Sequence, residues 1–207
     1  MENINMLNIV LDKIKSNSME NTRARMEKYG DNVLYVTDLT KCPIKRKLNK
    51  NNVEYSGEVS IVPSVMIGRF TGDGIANVCK QHFGDSASQE VSKQKEIGNY
   101  IIRGRYDISI NGQIIEVKFS RYLPKGPQKH HALQCQIYCW LYDVENVLLW
   151  YFSPEGYKEY NIKRDGMDDE MIMNLIESTV YPKYQWECKF CNVKEECKSI
   201  GNGVILE

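Results

Sequence analysis

Apolar residues recur at helical spacing from the start of the chain, at Ile4, Leu7, Val10, Leu11 and Ile14, and Gly30 with Asp31 closes the segment. The pattern predicts a helix over 1–29. A second helix is expected to begin at Thr37 or Asp38, either of which could cap it, and to run through the basic stretch 41–50. After a loop around Gly57, a glycine-containing helix fits 63–83. From Glu90 the period changes to two, and Gly98 with Asn99 and Asn111 with Gly112 mark tight turns, so three antiparallel strands are expected over 89–97, 100–110 and 113–119. Pro124, Gly126 and Pro127 break this pattern before a strongly apolar helix over 129–142. Two further strands fit VLLWYF and YKEYNIK, and a helix fits 167–181. From Trp186 the chain is too short and cysteine-rich to hold itself by apolar burial, so it needs a staple.

A length of 207 residues suits one buried core. Lys plus Arg and Asp plus Glu are both 27, which gives zero net charge; any nucleic-acid surface must then be a local patch. No stretch approaches the ~20 apolar residues that span a bilayer, and the first residues carry acids and amides where a signal peptide has a basic end and a long apolar run. A soluble, cytoplasmic protein with no membrane partner is expected. Seven cysteines in such a compartment point to a metal or cluster, since disulfides are disfavoured there.

The densest chemistry lies in RGRYDISINGQIIEVKFS. Glu116 and Lys118 are two apart on a strand and leave the same face, while Val117 points the other way into the core. Asp107, across the turn, can approach the same end of the sheet. Two carboxylates converging with a lysine make a site for a hard divalent cation, Mg2+ or Mn2+, bound through oxygen. Phosphodiester hydrolysis needs a metal to draw charge from the phosphate and acidify bound water, and a lysine can orient or deprotonate that water. Taken alone, Glu-x-Lys on a strand is equally an ordinary solvated face.

Gly104 leading to Asp107, a turn, and an apolar run into Glu116 and Lys118 together resemble the core of the PD-(D/E)xK nucleases. His131, Gln134 and Tyr138 reproduce the HxxQxxxY element of the RecB branch, with Gln134 and Tyr138 on one helix face. The resemblance implies an α/β (α+β mixed) fold: a restriction-endonuclease-like core with a central mixed sheet flanked by helices. It implies Asp107, Glu116, Lys118, Gln134 and Tyr138 as catalytic residues. The metal would be held by Asp107, Glu116 and the Val117 backbone carbonyl, and Gln134 and Tyr138 would contact phosphate or a base and steady the lysine. One family element is altered. The branch often has G-x-x-x-H on the helix before the hairpin, where this chain has Gly68 and then Gly72. The ligand is then lost, supplied by a water molecule, or replaced by Asp73, the favoured substitute, for which a loop or helix-cap role is the alternative; His82 reads as a surface histidine.

Cys188, Cys191 and Cys197 read C-x2-C-x5-C, and Cys42 stands directly before Pro43. Three close thiolates can take three corners of a cluster or tetrahedral metal and a remote one can close it, and spacing alone admits either zinc or iron–sulfur. The arrangement resembles the CRISPR-associated RecB-family exonuclease, over about 37–197, and implies a 4Fe–4S cluster on Cys42, Cys188, Cys191 and Cys197. The expected organisation is a single nuclease domain over 1–207: an N-terminal helical region (1–60) carrying Cys42, the PD-(D/E)xK core (61–182), and a cysteine-rich tail (183–207) joined to the first region through the cluster. Cys135 and Cys139 share an apolar helix face and read as core, and Cys79 is left without an assignment.

Lys45, Arg46, Arg121, Tyr122, Lys125, Lys129 and His131 are expected along the nucleic-acid path, with Tyr122 available to stack on an unpaired base. The same resemblance implies an exonuclease on single-stranded DNA, with endonuclease activity as a second mode. Compatible partners are a second copy of the chain, CRISPR adaptation proteins, or viral replication and recombination proteins, since short free-standing relatives occur in archaeal viruses. The host cytoplasm would be the compartment of a viral member. The rival reading is an inactive cluster-bearing DNA-binding or assembly subunit, favoured by the missing G-x-x-x-H histidine.

Overall fold

Left-handed backbone at Gly98 (φ 52°), Asn111 (φ 50°) and Gly112 (φ 83°) reverses the chain at the two expected turns and fixes the register on either side. The computed structural model describes residues 6–50 and 52–200. In chain order the elements are α1 (Met6–Lys28), β1 (Val33–Tyr35), α2 (Val36–Leu39), α3 (Pro43–Asn49), α4 (Val53–Ser60), α5 (Pro63–Phe83), β2 (Ala87–Gln89) and β3 (Ser92–Ile97). There follow β4 (Tyr100–Arg105), β5 (Ile108–Ile110), β6 (Gln113–Phe119), α6 (Lys129–Tyr142), β7 (Asn146–Ser153), β8 (Gly156–Lys163), α7 (Asp169–Glu177) and α8 (Lys194–Ile200). Among the described residues no helix is long and apolar enough to cross a membrane.

The strands form two mixed sheets, ordered β1-β4-β3 and β2-β5-β6-β7-β8. β1 runs parallel to β4, β6 runs parallel to β7 with α6 as their connection, and the other pairs are antiparallel. Side chains alternate along β6: Ile114 joins the main core with α6, whereas Ile115 and Val117 pack with Ala76 and Cys79 of α5. β6 is therefore covered on both faces, and a polar residue within it is shut away from water. Gly104 on β4 is required by contact. A Cβ there would stand 2.6 Å from Leu141, 2.8 Å from Val36 and 2.9 Å from Tyr138, so α2 and α6 can approach the sheet only because the side chain is absent.

Several sequence expectations are corrected. The helix expected from Thr37 through residue 50 is two helices, because Pro43 has no N–H to continue α2 and instead starts α3. Neither Thr37 nor Asp38 is the N-cap; Tyr35 is, and its N–H donates to Asp38 Oδ2 at 3.0 Å. The loop around Gly57 is helix α4, whose glycine lets Met19 of α1 lie against the backbone. The strand expected over 100–110 breaks at Tyr106 and Asp107, and the one over 89–97 breaks at Glu90 (φ 54°), whose N–H donates to the Asp107 carbonyl at 3.1 Å. The helix expected over 167–181 is shorter, starting where Asp168 accepts the Met171 N–H at 2.8 Å. Of the apolar residues expected on the first helix, Leu7 and Val10 are exposed, and Ile4 lies outside the described residues.

Candidate active site

The break between β4 and β5 opens a notch in the sheet. β5 pairs with β6 only as far as Ile115, so from Glu116 onward the outer edge of β6 has no strand beside it. The Asp107 side chain fills part of that gap, accepting the Val117 N–H on Oδ2 at 2.7 Å. Glu116, on the adjacent position, is 2% exposed. Its Oε1 accepts from Lys118 Nζ at 2.6 Å and from Gln134 Nε2 at 2.7 Å. Gln134 also donates to the Tyr138 hydroxyl at 3.1 Å, and that hydroxyl donates to the Arg105 carbonyl at 2.8 Å. Residues from β4, β6 and α6 are thus joined in one chain of hydrogen bonds around a carboxylate. Gln134 and Tyr138 are buried, so Gln134 grips Glu116 from the core side and the lysine is steadied through that shared oxygen.

Burial dominates the electrostatics. It pushes the Glu116 carboxyl up to about 7 although Lys118 opposes the shift, and it raises Asp107 against the pull of Lys118 and the Val117 hydrogen bond. For Lys118 burial works against the charge, but Glu116 and Asp107 more than offset it and hold the ammonium above its ordinary value. Glu116 Oε2 is buried with no hydrogen-bond partner among the described residues. An orphaned carboxylate oxygen beside a second carboxylate fits an oxygen-preferring cation. Among the described residues no three His, Cys, Asp or Glu side chains gather as ligands of one ion, so such a cation would need backbone or water oxygen as well, and Val117 offers its carbonyl.

A cleft of about 990 Å3 reaches Asp107 and Val117. Its lining from α1, α5 and β4 includes Arg25, Lys28, Arg69, Arg103 and Arg105, against the carboxylates of Asp73 and of Glu90, the latter 2.8 Å from Arg105. No motif marked these basic residues; the signal that could have found them, the basic side chains of Arg25 and Lys28 one turn apart on α1, is common on any solvated helix. Gly72 and Asp73 both line this cleft, Asp73 is exposed, and a Cβ built on Gly72 would meet nothing within 4 Å. The position of the missing histidine therefore faces open space. His82 is exposed at the edge of Phe83, as expected of a surface histidine.

The other expected nucleic-acid residues are dispersed. Arg121, Tyr122, Lys125 and Lys129 are exposed, with Arg121 lying 5.4 Å over the Tyr122 ring. Lys45 is half-buried on α3, and Arg46 is turned inward to donate to the Ile176 carbonyl at 2.7 Å. His131 is half-buried, with Nδ1 2.8 Å from the Tyr151 hydroxyl. Cys79, Cys135 and Cys139 are buried. All seven cysteines are free; burial and then the neighbouring thiols raise Cys188 and Cys197, but among the described residues Cys42, Cys188, Cys191 and Cys197 do not gather as ligands of one ion. Sequence reasoning missed Glu187, whose buried carboxylate accepts the Cys42 N–H at 2.8 Å and the Tyr184 N–H at 2.9 Å. A lone glutamate in a charged tail carries no signal of such a role.

No family profile matches the chain. It is 34% identical over 172 residues to the CRISPR-associated exonuclease Cas4 of Saccharolobus solfataricus, covering 78% of this chain and 85% of that protein. Its fold superposes on the crystal structure of SSO0001 with a TM-score of 0.79 at 30% identity, over 91% of this chain and 96% of that one. An alkaline exonuclease from Laribacter hongkongensis aligns with a TM-score of 0.50 at 12% identity, over 88% and 99% of the two chains, a likeness of fold alone.

Proposed function

The chain belongs to the Cas4 family of CRISPR-associated exonucleases, and on that premise we propose that it is a divalent-metal-dependent nuclease that hydrolyses single-stranded DNA. The observation that carries this reading is the buried, unpartnered Glu116 Oε2 beside Asp107 and Lys118. Asp107, Glu116 and the Val117 carbonyl would hold Mg2+ or Mn2+, which when bound supplies charge for the phosphate and a more acidic water. Glu116 is kept in one orientation by Gln134, which is itself oriented by Tyr138. Lys118 keeps its proton between two carboxylates and presents it toward the notch, where it can orient the attacking water and offset charge developing on phosphate. The basic cleft is read as the path of the strand, with Arg121, Tyr122, Lys125 and Lys129 at the surface beyond it.

We read residues 1–207 as one functional unit in which Cys42, Cys188, Cys191 and Cys197 hold an iron–sulfur cluster. The reading rests on the C-x2-C-x5-C spacing of Cys188, Cys191 and Cys197, on all four thiols being free, and on the Glu187 hydrogen bond that ties the Cys42 backbone to the tail. The cluster's role is structural, since hydrolysis needs no electron transfer.

The test is a Mg2+ titration on labelled single-stranded DNA. Glu116→Ala, Lys118→Ala and Asp107→Ala should each lower cleavage by about a hundredfold or more while leaving strand binding largely intact. Full activity in any two of the three overturns the assignment. A wild-type protein that binds DNA but never cuts it establishes the second reading, an inactive binding subunit, which the glycine at position 72 favours.

A further inference from the structure

A second hollow, of about 830 Å3, lies between the start of α6 and the segment leading into the cysteine tail. Its walls are aromatic. Tyr184 and Trp186 stack in parallel, with centroids 6.0 Å apart and planes 7° from each other, and His130 leans on both at 5.8 and 5.1 Å. Trp186 is nevertheless 50% exposed, so the indole is fixed by its neighbours and still offers surface to solvent. Lys129 and Lys183 line the same hollow, together with the amides of Gln128 and Gln185, and no carboxylate does. Glu187, next in the chain to Trp186, is spent on the backbone of Cys42 and Tyr184.

We propose that this hollow is a nucleobase subsite: one unpaired base stacks on Trp186, and the adjoining phosphate meets Lys129 and Lys183. The inference rests on the single-strand nuclease reading. Each feature of the hollow narrows the guest. Clustered rings alone would also suit an ammonium ion, but two lysine ammonium groups at the same place repel one. An aliphatic guest would gain nothing from the lysines. A flat ring carrying an anion uses the rings, the ammonium groups and the amides together, and stacking tolerates any base because each has a π-face. Position supports the assignment as well. His130 stands in the first turn of α6, the helix whose Gln134 donates to Glu116 at 2.7 Å, so the hollow and the notch are reached from one element. Lys183 already donates to the Leu39 carbonyl at 2.5 Å, which holds the amine in place before any strand arrives.

The experiment is a binding titration of an oligothymidylate, with Ca2+ replacing Mg2+ to suppress cutting, followed by tryptophan fluorescence and by anisotropy of a labelled strand. Trp186→Ala should raise Kd roughly 5- to 150-fold, the loss of one stacked base, and Trp186→Phe should keep most of the affinity. A strand of the same length made of abasic residues should bind wild-type protein and Trp186→Ala alike, since it has phosphates but nothing to stack. Melting curves identify any loss caused by misfolding, in which case the Phe variant and the abasic strand decide. Undiminished affinity of Trp186→Ala for the intact strand, or an equal loss on the abasic strand, overturns the subsite. If that protein still cuts with Mg2+, the nuclease reading stands without it; if the base-dependent binding is found and Mg2+ produces no cutting, the subsite stands and the nuclease reading falls.

Discussion

Among the described residues, one oxygen of Glu116 accepts two hydrogen bonds and the other accepts none. Leaving a buried carboxylate oxygen bare costs on the order of 1–3 kcal/mol, which a folded chain tolerates more readily where the vacancy is used. His131 is the complementary case, a half-buried base whose Nδ1 has a partner. Burial first, and then the charges of Lys118 and His130, lower it from 6.5 to about 2, while its Nδ1 faces the Tyr151 hydroxyl. The imidazole is thus neutral in the folded protein at any pH where the unfolded chain begins to protonate. Its contribution to stability is present above pH 6.5 and is lost progressively as pH falls below that value. Compared with His131→Gln, the wild-type advantage in unfolding free energy should shrink by about 1.4 kcal/mol for each pH unit below about 6.5. Urea unfolding of both proteins between pH 5 and 8 measures this, and a difference that stays constant over the range shows that the histidine is not held neutral.

At the scale of elements, two glycines make opposite demands. Gly104 on β4 is surrounded by Leu141, Val36 and Tyr138, so Gly104→Ala should destabilise the protein by about 1–3 kcal/mol through overpacking. Gly72 on α5 has nothing near it, so Gly72→Ala should stabilise by about 0.5–1 kcal/mol, as expected for replacing glycine in a helix. Denaturant midpoints separate the two, and changes of the same sign would contradict this packing. The contrast also explains what could be read in advance. The bounds of α6, the two turns and the shared face of Glu116 and Lys118 follow from local periodicity and turn chemistry, which are written in adjacent residues. The break at Tyr106 and Asp107, the helix at Gly57 and the inward turn of Arg46 depend on Val117, Met19 and Ile176, far along the chain. Asp107 was legible as a candidate ligand, but its bond to the Val117 N–H was not, because that needs the position of a strand edge. The enclosed Gln134 was legible as a motif residue, whereas the direction from which it reaches Glu116 was not.

Across the whole molecule, the two ends are tied by the bond from the Cys42 N–H to Glu187, 145 residues apart, by the Lys183 bond to the Leu39 carbonyl, and by paired amides of Asn49 and Asn192. A cluster on the four thiols would add to the same seam, and metal-binding free energy would then appear as stability. Replacing any one of Cys42, Cys188, Cys191 or Cys197 by Ser should bleach a brown protein and expose the tail to limited proteolysis, while Ser at Cys79, Cys135 or Cys139 should leave the colour unchanged. Visible absorption with iron and sulfide content of anaerobically purified protein tests this; stoichiometric zinc in a colourless protein rejects the cluster and spares the nuclease. The parallel pairing of β6 with β7 across α6 has a separate consequence for synthesis. Glu116, Lys118, Gln134 and Tyr138 all lie in one contiguous strand–helix–strand stretch, 113–153, and Asp107 shortly precedes it. The seam between Cys42 and the tail cannot close until Lys183 and Glu187 have been made. A growing chain therefore holds all the residues of the candidate site before those of the seam exist, and the two parts of the molecule are completed at different stages of synthesis.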